Sequence, residues 1–377
     1  MKIAIISPFI STSPDPLFYQ SQQLNLAAEL QKTGVDVDII TARRSANQPE
    51  HSVENGVTVF RLEPAAGWME KSFNMLLIRG LWRYLKHGGY DFIQSSDDCA
   101  PSTLVAALFC RGAGPGLIVY QGVYQYSANR AKRVLMRLQD RLAGPLVRRA
   151  CRMAVCKTRR AAGFLQQKGF DRVKVIPVGV NRRLFFPERK EPAKRFQLLA
   201  VGSLIELKNY PLMLETVKHL AAGGHDIHLT VIGSGPQRER IIGLAEEYGL
   251  TGFRFRLLES IPNREMRLHY SRADLLLLLS RREIFGMVIL EAMACGCPVL
   301  ATPTPGALDV IDDGADGYIA RSIRPEDLAG QIAGIVADRE SLAAVRQRAL
   351  EKVDRGYGWE SIARQYSELY QELAARS

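Results

Sequence analysis

The chain has 377 residues, 47% hydrophobic and 24% charged, with a net charge of +11. This is enough chain for two domains with their own cores, in the proportions of a folded globular protein rather than a disordered or fibrous one. No apolar run approaches the ~20 residues that span a bilayer, and the six cysteines (99, 110, 151, 156, 295, 297) lack zinc-ligand spacing, so buried reduced thiols are expected and no metal site is.

The charge is unevenly placed. Residues 1–190 hold 28 Lys+Arg against 14 Asp+Glu, a net of +14, and residues 191–377 hold 22 against 25, a net of −3. From Asn129 to Arg160 there are eleven basic residues and one acid, Asp140. Such asymmetry points to an anionic surface or substrate on the N-terminal side.

In chain order, Lys2 to Pro8 reads as a first strand rather than a signal peptide, followed by a polar loop to about Tyr19. Gln20 to Thr33 reads as a helix with Leu24, Ala27, Ala28 and Leu30 on its apolar side, ended by Gly34. Val35 to Thr41 alternates as a strand, and Val57 to Leu62 forms another. A helix rich in Leu, Trp and Tyr then runs to Lys86. Tyr90 to Ser95 is a strand, Pro101 to Phe109 a small-residue helix, and Leu117 to Gln121 a strand leading into Gly122. Strands alternating with helices indicate a parallel, doubly wound sheet.

Ala131 to Leu142 has helical periodicity, with Ala131, Val134, Leu135, Leu138 and Leu142 on one side and Arg130, Arg133, Arg137 and Arg141 in a row on another. One reading is a solvated charged face over a packed apolar one. The other is a surface that meets anionic lipid or a phosphorylated acceptor. Duplex DNA fits less well, because no helix-turn-helix, zinc-finger or RRM pattern accompanies the charge.

Cys151 to Cys156 and Val173 to Pro177 are short strands, and the charged segment Asn181 to Arg195 reads as an interdomain linker. Phe196 to Val201 starts a second alternating series, with a helix from Tyr210, a strand at Ile227 to Ile232, a helix from Gln237, a strand near Phe253 to Leu257 and a helix from Asn263. Ala273 to Thr302 forms one strand–loop–helix–strand unit. Its apolar run Leu275 to Leu279 is a buried strand, Glu283 sits in a turn, Gly286 opens a helix carrying Glu291, Gly296 ends that helix, and Pro298 starts the next strand. Helices at Glu326 to Ala337, Ser341 to Lys352 and Trp359 to Ala375 complete the chain. The expected division is 1–190, 191–355 and a last helix, 356–377, that packs back across the junction.

The unit around Glu283 has chemistry of its own. A helix amino end at Phe285-Gly286-Met287 offers free N–H groups and the positive end of a dipole to phosphate, and Gly286 allows close approach. Two glutamates flank that anion site and supply acceptors for hydroxyls. The pattern suits a hydroxyl-rich ligand carrying phosphate.

The string from Glu283-Ile-Phe-Gly to Glu291-Ala-Met-Ala-Cys-Gly-Cys-Pro-Val resembles the E-x7-E signature of retaining glycosyltransferases with the two-domain GT-B fold, of the family 4-like, group 1 type. Val175-Ile-Pro-Val-Gly-Val-Asn181 with Phe186-Pro187 is similar to the interdomain IPNGVD segment of that family. Val201-Gly-Ser-Leu-Ile-Glu-Leu-Lys208 is similar to its diphosphate loop, Val231-Ile-Gly-Ser-Gly-Pro236 to its IVGDGP turn, and Ala315-Asp-Gly317-Tyr to a later glycine turn. One glycine turn alone is uninformative; five segments in the right order carry the resemblance.

What it implies is a GT-B fold, two Rossmann-like doubly wound parallel-sheet domains facing a cleft, and transfer of a hexose-type sugar from a nucleoside-diphosphate sugar. Lys208 would neutralise the diphosphate as the leaving group gains charge, aided by Gly202, Ser203, Phe285 and the N–H groups of Gly286, Met287 and Val288. Glu283 would hold the sugar hydroxyls and steady positive charge at the anomeric carbon, and Glu291 would accept the ribose hydroxyls. The catalytic candidates are thus Glu283 and Lys208. No cofactor is implied, and a metal is unnecessary where basic and backbone donors take the phosphate charge. The expected acceptor is a lipid-linked or polysaccharide-precursor glycan bound by the basic N-terminal domain, with Gln121, Arg133 and Arg137 on the acceptor side. The expected location is cytoplasmic, peripheral on the inner face of the membrane, and no nucleic-acid partner is expected.

Three positions depart from the family pattern. Ser203 stands where arginine is usual, with Arg281 and Arg282 as candidate substitutes. The segment Phe9 to Tyr19 lacks the usual glycine pair, and Gln121 stands where histidine often touches the sugar. A binding protein without catalysis is therefore one alternative. A nucleotide-sugar epimerase of the same fold is another, against which the E-x7-E string argues.

Overall fold

The computed structural model describes residues 1–7, 21–43, 48–63, 80–112, 114–127, 129–188, 195–259 and 261–376. The expected loop from Phe9 to Tyr19, residues 64–79 ahead of the Lys86 helix and residues 189–194 of the expected linker lie outside them. The chain divides into two units, Met1–Gly179 with Trp359–Ser377, and Val180–Gly358, so the first division falls before the expected residue 190.

The first unit is built on β1 (Lys2–Ile6), β2 (Asp36–Ala42), β3 (His51–Glu54), β4 (Val57–Leu62), β5 (Phe92–Ser96), β6 (Gly116–Gln121), β7 (Cys151–Cys156) and β8 (Val173–Val175). They pair in the order β3-β4-β2-β1-β5-β6-β7-β8. Ile3 to Ile6 are all buried, because helices cover both faces of a parallel sheet and leave no strand face to water. Among the described residues, the antiparallel pair is β3 with β4. Sequence periodicity misses β3, which is short and half exposed. The signal for it was the Asn55-Gly56 turn, whose φ angles of 51° and 81° are those a two-residue hairpin requires.

Among the described residues, helices α1 (Gln22–Lys32), α2 (Leu81–Gly88), α3 (Pro101–Phe109), α4 (Arg130–Leu142), α5 (Gly144–Ala150) and α6 (Arg159–Gln167) accompany this sheet. The Ser21 hydroxyl accepts the Leu24 N–H to start α1, and the Thr158 hydroxyl accepts the Ala161 N–H to start α6, each satisfying a donor that has no partner within the helix. The short helices α5 and α6 were not expected from the sequence.

The packed apolar side expected for α4 is not observed. None of its residues is buried, and Val134, Leu135, Leu138 and Leu142 face solvent. The domain holds the helix by its other side, where the Gln139 amide donates to the Cys99 carbonyl and Asp140 accepts from the Tyr126 hydroxyl at 2.8 Å.

The second unit is a wholly parallel sheet of β9 (Phe196–Val201), β10 (Ile227–Ile232), β11 (Phe255–Leu258), β12 (Leu275–Leu278), β13 (Val299–Ala301) and β14 (Tyr318–Ile319). The helices are α7 (Tyr210–Ala222), α8 (Arg238–Glu247), α9 (Asn263–Arg272), α10 (Met287–Ala294), α11 (Pro305–Val310), α12 (Pro325–Ala337) and α13 (Arg339–Gly356). Leu198, Leu229, Leu275 and Leu277 pack with Val217, Leu220 and Ile332 in its core, each full burial of such a side chain contributing ~1.5–3 kcal/mol.

The strand order β11-β10-β9-β12-β13-β14 puts the point where the winding reverses between β9 and β12. In open α/β sheets the ligand crevice lies outside the carboxyl ends of the strands at that point. The loops after β9 and β12 are the ones that carry Lys208 and Glu283.

The described part of the expected linker is docked on the second unit. Val180 donates to the Tyr357 carbonyl at 2.7 Å, and the Arg182 guanidinium donates to the Ala294 carbonyl at 2.7 Å while pairing with Asp354 at 2.6 Å. Arg182 thereby satisfies a carbonyl at the end of α10. The last helix, α14 (Trp359–Ala374), belongs to the first unit, where the Tyr370 hydroxyl donates to Gln94 at 2.9 Å and its ring stacks on Phe92.

Candidate functional site

The loop after β9 is held by close backbone packing. Gly202 donates to the Ile232 carbonyl at 3.0 Å and Leu204 to the Ser234 carbonyl at 2.8 Å. The Tyr210 hydroxyl donates to the Gly202 carbonyl at 2.9 Å. A Cβ at Gly233 would stand 1.9 Å from the Gly202 oxygen, and one at Gly235 would stand 2.6 Å from the Leu204 oxygen. The Ile-Gly-Ser-Gly-Pro turn therefore acts as a buttress, its missing side chains letting the neighbouring loop lie flat against it.

Past that loop, a 3-10 turn at Glu206–Lys208 ends at Asn209, whose φ of 56° redirects the chain into α7. This turn presents Lys208, and its ammonium donates to the Glu283 carboxylate at 2.5 Å. The two side chains are 19% and 18% exposed, so the pair is shielded more than a surface ion pair yet stays within reach of a ligand. The same two loops are tied by Arg281, whose N–H donates to the Leu207 carbonyl at 2.9 Å. Its guanidinium donates to Glu206 at 3.1 Å, on the Lys208 turn, while Ser203 is exposed.

Gly286 has a φ of 78° and precedes α10 without a side-chain cap, so the first N–H groups of the helix, from Met287 and Val288, are left uncapped by any side chain. A Cβ on Gly286 would come 3.2 Å from the Glu283 side chain. Gly306 opens the way for α11 to press against this loop, since a Cβ there would lie 2.2 Å from the Phe285 carbonyl oxygen.

Glu291 is buried on α10, where its carboxylate accepts from the Tyr270 hydroxyl at 2.8 Å. Burial pushes its pKa up to about 7, against the hydrogen bond from Tyr270, which lowers it. Glu291 is thus no solvated helix residue. Tyr270 was not anticipated, because it lies twenty-one residues from its partner on a different helix and belongs to no motif.

One cation and one carboxylate meet ahead of the uncapped start of α10 at the carboxyl end of this sheet, and a second carboxylate, Glu291, lies buried on that helix. Cations and N–H groups recognise phosphate, and carboxylates recognise hydroxyls.

The acceptor-side candidates lie in the first unit and are not equivalent. Gln121 is buried at the end of β6, where its side-chain oxygen accepts the Asp98 N–H at 3.0 Å. Its amide oxygen is thus committed to supporting the β5 loop. Asp97 in that loop has a φ of 61°, accepts the Gly122 N–H at 3.2 Å and is raised in pKa by burial. Arg133 and Arg137 lie on α4, with Arg137 placed 5.6 Å from the Tyr126 ring centre.

Asp98, Cys99 and Asp140 bring three potential metal-ligand atoms within 4.8 Å of one another. The Lys168 ammonium occupies their midst, against Asp98, 3.3 Å from Asp140 and 3.3 Å from the Cys99 sulfur. Burial, then the Asp98 charge, pushes the Cys99 thiol up to about 12, which keeps it protonated. The chemistry of the cluster is that of a buried ion pair, with lysine in the cation's place. None of the six cysteines is in a disulfide; four of them are buried and Cys99 and Cys151 partly so.

Residues 181–352 match the family model described as Glycosyl transferases group 1, and residues 19–179 match the one described as Glycosyl transferase 4-like domain. D-inositol 3-phosphate glycosyltransferase from Thermobispora bispora is 30% identical over 223 residues, which is 55% of this chain and 52% of that protein. The chain therefore spans about half the length of that curated relative. Sucrose-phosphate synthase from Thermosynechococcus elongatus superposes with a TM-score of 0.79 over 100% of both chains at 24% identity. HepE from Anabaena, solved with UDP and glucose, does so with a TM-score of 0.72 over 99% of this chain and 100% of that one, at 18% identity. Both likenesses show the fold.

Proposed function

The chain belongs to the GT-B-fold glycosyltransferase family, and we propose that it transfers a hexose-type sugar from a nucleoside diphosphate, with retained anomeric configuration, to a lipid-linked or polysaccharide-precursor acceptor. The observation that carries this reading is the Lys208–Glu283 contact at the start of α10, where a cation, a carboxylate and uncapped N–H groups meet. Charge develops on the β-phosphate as the glycosidic bond breaks. Lys208 and the Met287 and Val288 N–H groups stabilise it where it appears, which lowers the barrier without a metal. Glu283 faces the sugar hydroxyls and the anomeric carbon, and Glu291, oriented by Tyr270, accepts the ribose hydroxyls. Arg281, held beside the 206–208 turn, supplies the guanidinium that Ser203 does not. The same reading places the protein at the inner face of the membrane, on the strength of the basic segment from Asn129 to Arg160. No helix among the described residues is long and apolar enough to cross a membrane.

The test is a thermal-shift screen with UDP, GDP, ADP and their sugar conjugates, on wild type, Lys208→Ala and Glu283→Ala. A nucleotide at about 100 times its Kd should stabilise the wild type by ~2.7 kcal/mol, and Lys208→Ala should remove most of that. NMR of the transfer product then reports its anomeric configuration, and an inverted product rules out the retaining mechanism. If no nucleotide raises the midpoint, the donor-site reading fails. Ser203 in the diphosphate loop favours one second reading, a nucleotide-sugar-binding protein without transfer, which predicts a midpoint shift and no product.

A further inference from the structure

An amphipathic helix in a folded domain ordinarily turns its apolar stripe to the core. In α4 the stripe is turned outward. Val134 is 61% exposed, Leu135 40%, Leu138 50% and Leu142 69%. At about 100° per residue these four side chains and Ala131 cover an arc of roughly 100°, and Arg130, Arg137 and Arg141 fill the adjoining ~40°. The helix is thirteen residues long, about 20 Å. Its exposed surface is therefore an apolar band with an arginine row along one edge.

The acidic group that would offset this charge faces inward. Asp140, the one acid between Asn129 and Arg160, is bound to the Arg148 guanidinium at 3.1 Å, the Lys168 ammonium at 3.3 Å and the Tyr126 hydroxyl at 2.8 Å. The exposed arc of α4 accordingly carries no carboxylate. Arg149, Arg152, Arg159 and Arg160, which follow in the same domain, are exposed as well.

Water stabilises such a band poorly, and the chemistry of the band selects what covers it. A second copy would bring arginine row and apolar band against their own kind, with no carboxylate on the exposed arc of α4 for either row to meet. An anionic bilayer satisfies both halves at once, taking leucines at the acyl boundary and arginines among the headgroup phosphates. We propose that α4 is an interfacial helix that seats the first unit on anionic lipid, with its axis in the membrane plane, Val134, Leu135, Leu138 and Leu142 inserted, and Arg130, Arg137 and Arg141 on phosphate. This rests on the peripheral-membrane part of the proposed function and supplies its physical element. It is independent of the donor site, which lies wholly in the second unit.

The experiment is flotation of the full chain with vesicles of phosphatidylcholine alone or mixed with about one-third phosphatidylglycerol. The wild type should float with the mixed vesicles and stay behind with the neutral ones. Arg130→Gln with Arg141→Gln should weaken binding about five-fold per arginine. Leu135→Ser with Leu138→Ser should weaken it at least ten-fold, including at high salt, where the arginine effect is screened. These side chains are exposed, so the variants should keep wild-type circular dichroism, and the nucleotide-induced midpoint shift should be unchanged. In the opposite direction, Leu138→Trp should bind at least as well as wild type and be quenched by brominated lipid. Equal binding by wild type and the double-serine variant, or no binding to anionic vesicles, overturns the proposal. So does a wild-type dimer in light scattering that the double-serine variant abolishes, which would assign the band to a second copy. Lost flotation with an intact nucleotide shift defeats only the helix assignment, whereas lost nucleotide binding with intact flotation defeats only the donor reading.

Discussion

Replacing Glu291 with Gln should change the pH dependence of stability in a direction and size set by its burial. In the folded protein burial raises this carboxyl from 4.5 to about 7. Between those values the folded state holds a proton that the unfolded state has already released, so stability falls as pH rises through the window. Above it the folded state bears the whole cost of a buried carboxylate, and below it none. With about 1.4 kcal/mol per tenfold change in proton affinity, the wild type should lose on the order of 3 kcal/mol across that window. Glu291→Gln has no proton to release and should lack this slope, so it should gain relative to wild type as pH rises. The unfolding of the second unit can be followed separately through Cys295 and Cys297, which are buried there. Proteins equilibrated in urea at about pH 4.5 and about pH 8 would be pulse-labelled at one fixed pH and read by mass spectrometry. The absolute effect of the substitution includes changes at Tyr270 and is not diagnostic. A stability difference between variant and wild type that is flat with pH would refute the reasoning, because it would mean that the carboxyl titrates alike in both states.

Two further predictions concern packing. Gly306→Ala should force the Phe285–Gly286 loop away from α11, costing about 1–3 kcal/mol and weakening nucleotide binding at least ten-fold by calorimetry. Gly330→Ala on α12, where a Cβ meets nothing within 4 Å, should be neutral or mildly stabilising in the same assays, and equal behaviour of the two would contradict the assigned role of Gly306. Lys168→Met should strand the buried Asp98 beside Asp140 and cost the first unit about 3–5 kcal/mol, seen as an earlier urea transition in the fluorescence of the buried Trp359. A loss below about 1 kcal/mol would mean that the lysine is not the counter-ion of that cluster.

Local sequence determined most of the elements. Leu275 to Leu278 reads as a buried strand because a parallel sheet covered on both faces leaves no polar alternation to see. Pro101 at the first turn of α3 sets the start of that helix. The Glu283-to-Glu291 string also located the elements of the candidate site, since its turn, glycine and helix are all local. Elements whose pattern is short escaped notice, as with β3, α11 and the two-residue β14.

What required tertiary structure was every relation between residues distant in the chain. Lys208 and Glu283 are 75 residues apart and meet because β9 and β12 are neighbours at the point where the sheet reverses its winding, an arrangement no spacing rule contains. Gln121 reads as an open strand end, yet its amide oxygen holds the Asp98 N–H. Glu291 becomes a carboxyl titrating near neutrality only because the folded core removes the water around it, against the opposing hydrogen bond that α9 supplies through Tyr270. In α4 periodicity identified an apolar side and a basic one, but periodicity is a property of one helix. Which side faces the domain depends on the partners that fill the other side, and here Gln139 and Asp140 are held inward while the leucines are left outside.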